Sequence, residues 1–290
     1  MTFQLDESLH WTDHFVEYGF SVVKGLVDRS FCEEAVEQIK KIVDDPRPLD
    51  QWTSEKPGAL HEPFRVGRSD PVLEKIYEQP AVLDAIETMH GPGKWNGRET
   101  FYIFLKPYEP EAKQELSKSG HIDFGGDHIP ILYRGFSMMV SLVDTEPFSG
   151  NFTCWPGYPR IIQKMLIDDP KLNAPGGALE CFKDKQLPEP YEFVAEPGDC
   201  LFIHHLLLHS GNSSHSDNRK PRCALLFDAW RDEWLTEIDP ADPDLSPWER
   251  SLAHNGPFKV YVDERAERGK ADPEVAAEIE AEKAGLPMPR

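Results

Sequence analysis

Five segments rich in β-branched and aromatic residues follow one another between about residues 100 and 230. They are TFYIFLKP (100–107), GFSMMVSLVD (135–144), NFTCWPG (151–157), YEFVAEPGDCLFIHHLLLHSG (191–211) and RCALLFDAW (222–230). Turns that contain Pro and Gly separate these segments, which is typical of an all-β arrangement. One helix is predicted between them, at 158–169, and the region 170–190 is predicted to be loop. The second half of the chain is therefore expected to form a sandwich or barrel of strands.

The first 95 or so residues have a different pattern. Helices are predicted over 7–18, over a second segment that ends at Asp44, and over the shorter stretches 71–78 and 80–90. In the second segment, SFCEEAVEQIKKIVD, apolar residues recur at helical spacing. Asp28 or Ser30 is a candidate cap for the second helix. A strand is predicted at 20–26, and 45–70, rich in Pro, Gly and charge, is predicted to be loop.

Helices first and strands afterwards, with no repeat and no clear linker, predict a mainly β fold with flanking α-helices. We expect one domain over residues 1–290. Its parts are a helical flank over about 1–95, a β core over about 96–235 and a C-terminal extension over about 236–290. The charged, Ala- and Glu-rich tail at 258–290 is expected to be a surface helix.

The net charge of the chain limits the kinds of molecule that it is expected to bind. Lys and Arg total 31 against 51 Asp and Glu, which gives a net charge of −20. A chain this acidic is a poor candidate for binding nucleic acid or anionic membranes, and it mildly favours neutral or cationic substrates. No apolar run approaches the length needed to span a membrane. We therefore expect a small-molecule substrate, with no nucleic acid and no membrane as partner.

The cysteines and the N-terminal sequence indicate the compartment. The five cysteines are odd in number, widely spaced and without a C-x-x-C motif, which argues against a disulfide framework. The opening MTFQLDESLHW has neither a basic segment nor an apolar segment of the kind that secretory signals contain. A cytoplasmic protein is the expectation.

A His-x-Asp pair, His121 and Asp123, is the first candidate for chemistry. Residues i and i+2 of a strand point to the same face, so both side chains can reach one metal ion. Far downstream, a strand is predicted over CLFIHHLLLH (200–209), and it ends at His209, just before a polar turn. Two histidines and one carboxylate on one face of Fe(II) leave three coordination positions open for O2 chemistry. His121, Asp123 and His209 are therefore the predicted metal ligands and catalytic residues.

Other histidines compete with His209 for this role. His205 has the same strand parity as His209, so parity alone does not choose between them. His204 and His205 are more typical of core or supporting histidines, and His215 of a loop residue.

Arg222 opens the strand CALLFDAW, and an arginine inside an apolar sheet needs a partner, ideally a bidentate carboxylate. That carboxylate would belong either to a bound 2-oxoacid or to the protein itself, from Asp228 or Glu233. Arg219, in the polar loop before the strand, is an alternative anchor. Lys106, at the end of YIFLKP, is a candidate second contact to the co-substrate or, equally, a solvated lysine at a strand end.

Several of these segments together resemble the phytanoyl-CoA dioxygenase-like branch of the Fe(II)/2-oxoglutarate oxygenases. The opening HFVEYGFSVVKGLVDRSF is similar to the start of that family, and YIFLKP followed by HIDFGG resembles its metal-binding segment. The most specific similarity is between GDCLFIHHLLLHSGNSS and the family pattern G-D-x-x-x-F-H-x-x-x-x-H-x-S-x-x-N-x-S. One departure is Pro156-Gly157-Tyr158, where the family has Pro-Gly-Ser-His.

The resemblance implies a double-stranded β-helix, which is a jelly roll of the cupin-like type. It selects His209 over His204 and His205 as the second histidine ligand. It also selects Arg222 over Arg219 as the residue that binds the distal carboxylate of 2-oxoglutarate. The implied cofactors are Fe(II) and 2-oxoglutarate. The implied reaction consumes O2, releases succinate and CO2 and hydroxylates a C–H bond, and the carboxylate of Asp123 favours hydroxylation over halogenation.

Two other functions compete with the hydroxylase. One is a cupin-like metal enzyme that does not use 2-oxoglutarate, which would leave Arg222 without a role. The other is a non-catalytic binding protein on the same fold, against which the complete His, Asp and His set argues. The acidic chain is an awkward host for polyanionic CoA, so a small metabolite is the expected substrate. The sequence does not specify the oligomeric state.

Overall fold

The structure is a computed structural model, and it describes residues 3–54, 61–66, 70–95, 97, 101–122, 135–169, 182, 186–231 and 238–253. The helices are α1 (Trp11–Tyr18), α2 (Arg29–Ile42), α3 (Pro80–His90), α4 (Tyr158–Asp168) and α5 (Pro247–Ala253). The strands are β1 (Phe20–Val23), β2 (His61–Val66), β3 (Phe101–Lys106), β4 (Gly135–Ser141), β5 (Phe152–Cys154), β6 (Tyr191–Glu192), β7 (Cys200–Ile203), β8 (His209–Gly211) and β9 (Arg222–Trp230). Short 3₁₀ helices span Leu49–Gln51 and Leu73–Glu78.

Most of the described strands form one antiparallel sheet in the order β1-β7-β4-β9-β3-β2. The two edge strands, β1 and β2, come from the first 95 residues of the chain. In the centre, β9 pairs with β3 so that Arg222 lies opposite Lys106, and with β4 so that Asp228 lies opposite Ser137. This register places the arginine end of β9 beside a polar residue of β3, and the carboxylate end of β9 beside a polar residue of β4.

A smaller sheet has the order β6-β5-β8. It packs on the large sheet through apolar side chains from both, among them Met139 of β4, Phe152 of β5 and Leu201 of β7. The opposite face of the large sheet packs against the helices, with Phe136, Met138 and Val140 of β4 in that cluster. The alternation of side chains along β4 therefore separates a layer between the sheets from a layer between sheet and helices.

The fold follows the sequence prediction in class and departs from it in four segments. The helix at 80–90 and the strand at 222–230 have the predicted bounds, and the first helix begins at Trp11 rather than at residue 7. The prediction of loop over all of 45–70 is wrong, because β2 lies within it. Pro63 masks that strand in the sequence, and a proline is tolerated there because β2 is an edge strand. The stretch 71–78 is a 3₁₀ helix over 73–78.

The prediction of one strand from residue 200 to His209 is also wrong. The chain leaves the large sheet after Ile203, turns through residues 204–208 and enters the small sheet at His209. An unbroken apolar run does not reveal such a crossing between sheets, since both ends are buried. The parity argument that treated His205 and His209 as equivalent therefore does not apply to this structure.

Four of the cysteines, Cys32, Cys154, Cys200 and Cys223, are buried free thiols, whereas Cys181 lies outside the described residues. Most of the predicted loop at 170–190 and the whole tail at 258–290 also lie outside them. In the part of the chain that is described, no helix has the length and apolarity that a membrane crossing requires.

Replacing Phe136 with alanine is expected to destabilise the fold by about 3–5 kcal/mol, because the ring is fully buried between sheet and helices. Its centroid lies 4.7 Å from the ring of His90 and 6.1 Å from that of Trp248. Urea unfolding measures the loss. Ile161→Ala, at a side chain that is 47% exposed, is the control and should change stability by less than about 0.5 kcal/mol. Equal losses in the two variants would contradict this account of the core.

Candidate active site

A cavity of about 540 Å³ lies between the two sheets, and four of the five predicted site residues line it. These are Lys106, His121, His209 and Arg222. The fifth, Asp123, lies outside the described residues. The walls are largely apolar, with Phe104, Met139 and Phe152 among them. The volume is in the range of about 300–1,000 Å³ that is common for sites of small ligands.

His121 and His209 face each other across a short backbone bridge. The His121 N–H donates to the His209 carbonyl at 2.8 Å, and the His209 N–H donates to the His121 carbonyl at 2.9 Å. Their ring centroids are 4.4 Å apart. His121 is exposed, while His209 is 7% exposed and stacks on Phe152. The bridge therefore brings together two imidazoles that are 88 positions apart in the sequence, since 209 − 121 = 88.

A hydrogen bond fixes the protonation of the His209 ring. Its Nδ1 lies 2.8 Å from the Leu207 carbonyl oxygen, which can only accept, so Nδ1 carries the proton. In a neutral imidazole the lone pair is then on Nε2. A backbone carbonyl in this position is the usual partner that orients a metal-binding histidine. Within the described residues no group of three His, Cys, Asp or Glu side chains converges. The described part of the site thus comprises two histidines.

Arg222 is buried at the end of the cavity, and among the described residues no carboxylate pairs with it. Its side chain is 5% exposed, and its Cζ lies 5.4 Å from the centre of the Phe104 ring. The Nε atom is buried with no hydrogen-bond partner, and no described residue forms an ion pair with the guanidinium. Burial lowers the pKa of Arg222 to about 10, so it is still a cation at neutral pH. A buried guanidinium in this state requires an anion.

Lys106 lies opposite Arg222 on β3, but its charge is already matched. Its Nζ is 2.8 Å from Glu109 Oε1, and the two side chains are 3% and 0% exposed. The alternative of a solvated lysine at the strand end is therefore wrong. Of the two cations at this end of the cavity, Lys106 is therefore neutralised by Glu109, whereas Arg222 is not neutralised by a described acidic residue.

The intraprotein partners considered for Arg222 do not bind it in the described part of the structure. Asp228 lies at the other end of β9, where it contacts Ser137 and His205 instead. Glu233 lies outside the described residues. Arg219 lies outside the cavity, with its Cζ 4.7 Å from the centre of the Tyr108 ring. Geometry therefore favours Arg222 over Arg219 as the residue that meets an anion in the cavity.

The other histidines have structural positions. His204 is 3% exposed in the helix-facing core, where its Nδ1 accepts from the Leu206 N–H and its ring lies 5.3 Å from that of Trp248. His215 is a loop residue stacked on Tyr108, with its Nδ1 2.9 Å from the Glu109 carbonyl oxygen. His205 is also buried and contacts the Ser137 hydroxyl. None of these three side chains lines the cavity.

His204 gives an acid-sensitivity prediction. Burial lowers its pKa from 6.5 to about 3. Between these two values the His204 side chain is neutral in the folded protein and protonated in the unfolded chain. The free energy of unfolding is therefore unaffected by this group above pH 6.5. Below pH 6.5 it falls as the pH falls, by up to about 1.4 kcal/mol per pH unit. His90, whose pKa burial also lowers to about 3, adds a second contribution.

The check is urea unfolding of wild type and His204→Phe between about pH 6.5 and about pH 5. In the variant, the dependence of the unfolding free energy on pH should be shallower by about 1 kcal/mol per pH unit. Lost or gained packing shifts the whole curve without changing its slope. Parallel curves for the two proteins would contradict the prediction.

Sequence reasoning missed the polar residues at the far end of the cavity. Ser137 was not considered, and Asp228 was considered only as a partner for Arg222. The alternation of side chains along β9 could have identified Asp228. The sequence positions of Arg222 and Asp228 differ by an even number, so the two side chains point to the same face of the strand. Both line the same cavity in the structure.

Comparison with solved structures identifies proteins that share this fold. HygX from Streptomyces hygroscopicus, in a structure with nickel and 2-oxoglutarate bound, is 14% identical, with a TM-score of 0.51 over 79% of this chain and 87% of HygX. SnoK, a non-heme alpha-ketoglutarate-dependent carbocyclase from nogalamycin biosynthesis, is also 14% identical, with a TM-score of 0.53 over 87% of this chain and 92% of SnoK.

At such identity the similarity establishes the fold alone. No protein-family model and no curated protein matches the chain. The chain therefore has the fold of these non-heme enzymes, with antiparallel sheets and flanking helices. The narrower resemblance to phytanoyl-CoA dioxygenases stays a prediction.

Proposed function

We propose that this protein is an Fe(II)- and 2-oxoglutarate-dependent dioxygenase that hydroxylates a C–H bond of a small-molecule metabolite. The observation that supports this most strongly is the position of Arg222. A buried guanidinium without a described acidic partner shares one cavity with a facing pair of histidines. A diacid that also binds a metal ion satisfies both requirements at once, and 2-oxoglutarate is such a molecule.

The residues present fit an iron centre of the two-histidine, one-carboxylate type. His209 would bind through Nε2, because its Nδ1–H is held by the Leu207 carbonyl. His121 would supply the second imidazole, and Asp123, two residues further along, the carboxylate. When bound, iron(II) supplies the site with the ability to activate O2 with electrons from 2-oxoglutarate.

The remaining residues have binding and shielding roles in this proposal. Arg222 would bind the distal carboxylate of 2-oxoglutarate with a bidentate hydrogen bond. Lys106, whose charge is matched by Glu109, would donate a further hydrogen bond without adding net charge at that end. Phe104 and Phe152 cover the cavity wall beside Arg222 and His209, and so keep water from both groups.

The fold supports the same proposal. We interpret the large and small sheets as the two halves of a double-stranded β-helix within one domain, with the cavity between them. HygX was crystallised with nickel and 2-oxoglutarate, and SnoK is described as alpha-ketoglutarate dependent. A cupin-like enzyme that does not use 2-oxoglutarate would leave Arg222 without its anion, and a non-catalytic binding protein would not need the paired histidines.

The direct test is iron-dependent conversion of 2-oxoglutarate to succinate by the wild-type protein, in the presence of O2 and without added substrate. We expect slow succinate formation that requires both Fe(II) and O2. Under anaerobic conditions, we expect 2-oxoglutarate to produce a charge-transfer absorbance with the Fe(II)-loaded protein. Neither succinate nor this absorbance would be seen if the cavity does not hold the two cofactors together, and the proposal would then be wrong.

A further inference from the structure

A second polar cluster lies in the same cavity and is not used by the proposed binding of iron and 2-oxoglutarate. Its centre is Asp228, whose Oδ1 accepts a hydrogen bond from the Ser137 hydroxyl at 2.5 Å. The Nε2 of His205 lies 3.1 Å from the same hydroxyl oxygen and 3.5 Å from Oδ1. Ser137 and His205 are 3% and 2% exposed, so they fix the carboxylate from the buried side.

The position of Asp228 separates it from the co-substrate. Arg222 and Asp228 point to the same face of β9 and are six residues apart, which corresponds to roughly 20 Å along the strand. A five-carbon diacid bound at Arg222 is too short to reach Asp228. Between them the wall is apolar, with Leu226 on β9 and Met139 on β4. The cavity therefore has a cationic end, an apolar middle and an anionic end.

The charge of Asp228 is not matched by the protein residues described. Apart from the 3.5 Å contact with His205, it forms no ion pair with a described Lys, Arg or His side chain. No described donor binds its second oxygen, Oδ2, and the side chain is 18% exposed, where it lines the cavity. A carboxylate at the end of an apolar cavity attracts a cation more strongly than it would in water. The net charge of −20 adds a long-range attraction of the same sign.

We propose that Asp228 binds a protonated amino group of the substrate, so that the substrate class is an amine with an apolar body. This inference rests on the proposed function, because it assigns the substrate end of the same cavity. Ser137 and His205 are positioning residues that hold Oδ1, which leaves Oδ2 to receive the ammonium group. The apolar middle of the cavity would hold the body of the substrate between Asp228 and the histidine pair.

The test compares three probes that differ only in their head group, namely n-hexylamine, n-hexanol and n-hexanoate. Each is titrated calorimetrically into the anaerobic protein loaded with Fe(II) and 2-oxoglutarate, and the charge-transfer absorbance is recorded as a second readout. The proteins are wild type, Asp228→Asn and Asp144→Asn. Asp144 is an exposed residue outside the cavity, so its substitution removes the same charge without changing the site.

We expect wild type and Asp144→Asn to bind the amine at least about tenfold more tightly than the alcohol, and the acid most weakly. Asp228→Asn should bind amine and alcohol with affinities that differ by less than about threefold. Equal binding of amine and alcohol by wild type would overturn the proposal, and this comparison does not depend on the variant folding. Tighter binding of the alcohol, no binding of any probe, or an amine preference that persists in Asp228→Asn would also overturn it.

The failure of this inference is distinguishable from failure of the proposed function. The charge-transfer absorbance before any probe is added tests the iron and 2-oxoglutarate site by itself. If it forms but the amine has no advantage, only the assignment of Asp228 is wrong. If it does not form, the proposed function is wrong, and the substrate class inferred from it is withdrawn as well.

Discussion

Replacing His209 with alanine is expected to abolish iron-dependent succinate formation and to weaken metal binding by more than about 100-fold. The contacts that merely orient a metal-bound histidine are worth about 10- to 100-fold in metal affinity, so loss of the ligand itself should exceed that. The backbone bridge between His121 and His209 uses main-chain groups, which alanine retains. We therefore expect the variant to fold and to lack the anaerobic charge-transfer absorbance with 2-oxoglutarate.

The matched control for this variant is His10→Ala. His10 is exposed beside α1, outside the cavity, and its side chain contacts only local neighbours among the interactions described. It should bind iron and form succinate as wild type does. His121→Ala should behave like His209→Ala, because the proposed centre uses both imidazoles. Wild-type iron affinity in His209→Ala, measured on folded protein, would remove the metal site from the proposal.

Replacing Arg222 with methionine is expected to change binding and stability in opposite directions. The KM for 2-oxoglutarate should rise by at least about 30-fold, since a buried charged partner of the carboxylate is lost. The free energy of unfolding of the protein without ligands should rise by about 1–2 kcal/mol, because an apolar side chain of similar length replaces a buried cation without a described acidic partner. Steady-state kinetics and urea unfolding measure the two quantities.

The opposite signs separate a ligand-binding arginine from a structural one. If Arg222 were half of an ion pair within the protein, its removal would leave a buried acid and lower stability by about 3–5 kcal/mol. Arg219→Met is the control, because Arg219 stacks on Tyr108 outside the cavity and should leave the KM for 2-oxoglutarate unchanged. A large rise in KM with Arg219→Met, and none with Arg222→Met, would transfer the proposed role to Arg219.

Local patterns were sufficient where the neighbourhood of a residue in sequence decides its structure. The apolar spacing of 80–90 predicted α3, and the aromatic and β-branched residues of 222–230 predicted β9 with its observed bounds. The pattern failed at β2, where Pro63 hides an edge strand, and at residues 204–208, where an apolar run crosses from one sheet to the other. Propensity reflects the local chain, whereas pairing depends on strands that are distant in sequence.

The sequence by itself determined the β-rich class, the candidate residues Lys106, His121, Asp123, His209 and Arg222, and the acidity that disfavours anionic partners. Only the tertiary structure decided which of them meet. In the tertiary structure, His121 lies beside His209, and Lys106 pairs with Glu109. Arg222 has no described acidic partner, and Asp228 lies at the far end of the cavity. The physical reason is that charge matching depends on distances across strands, and strand register is set by packing of the whole sheet.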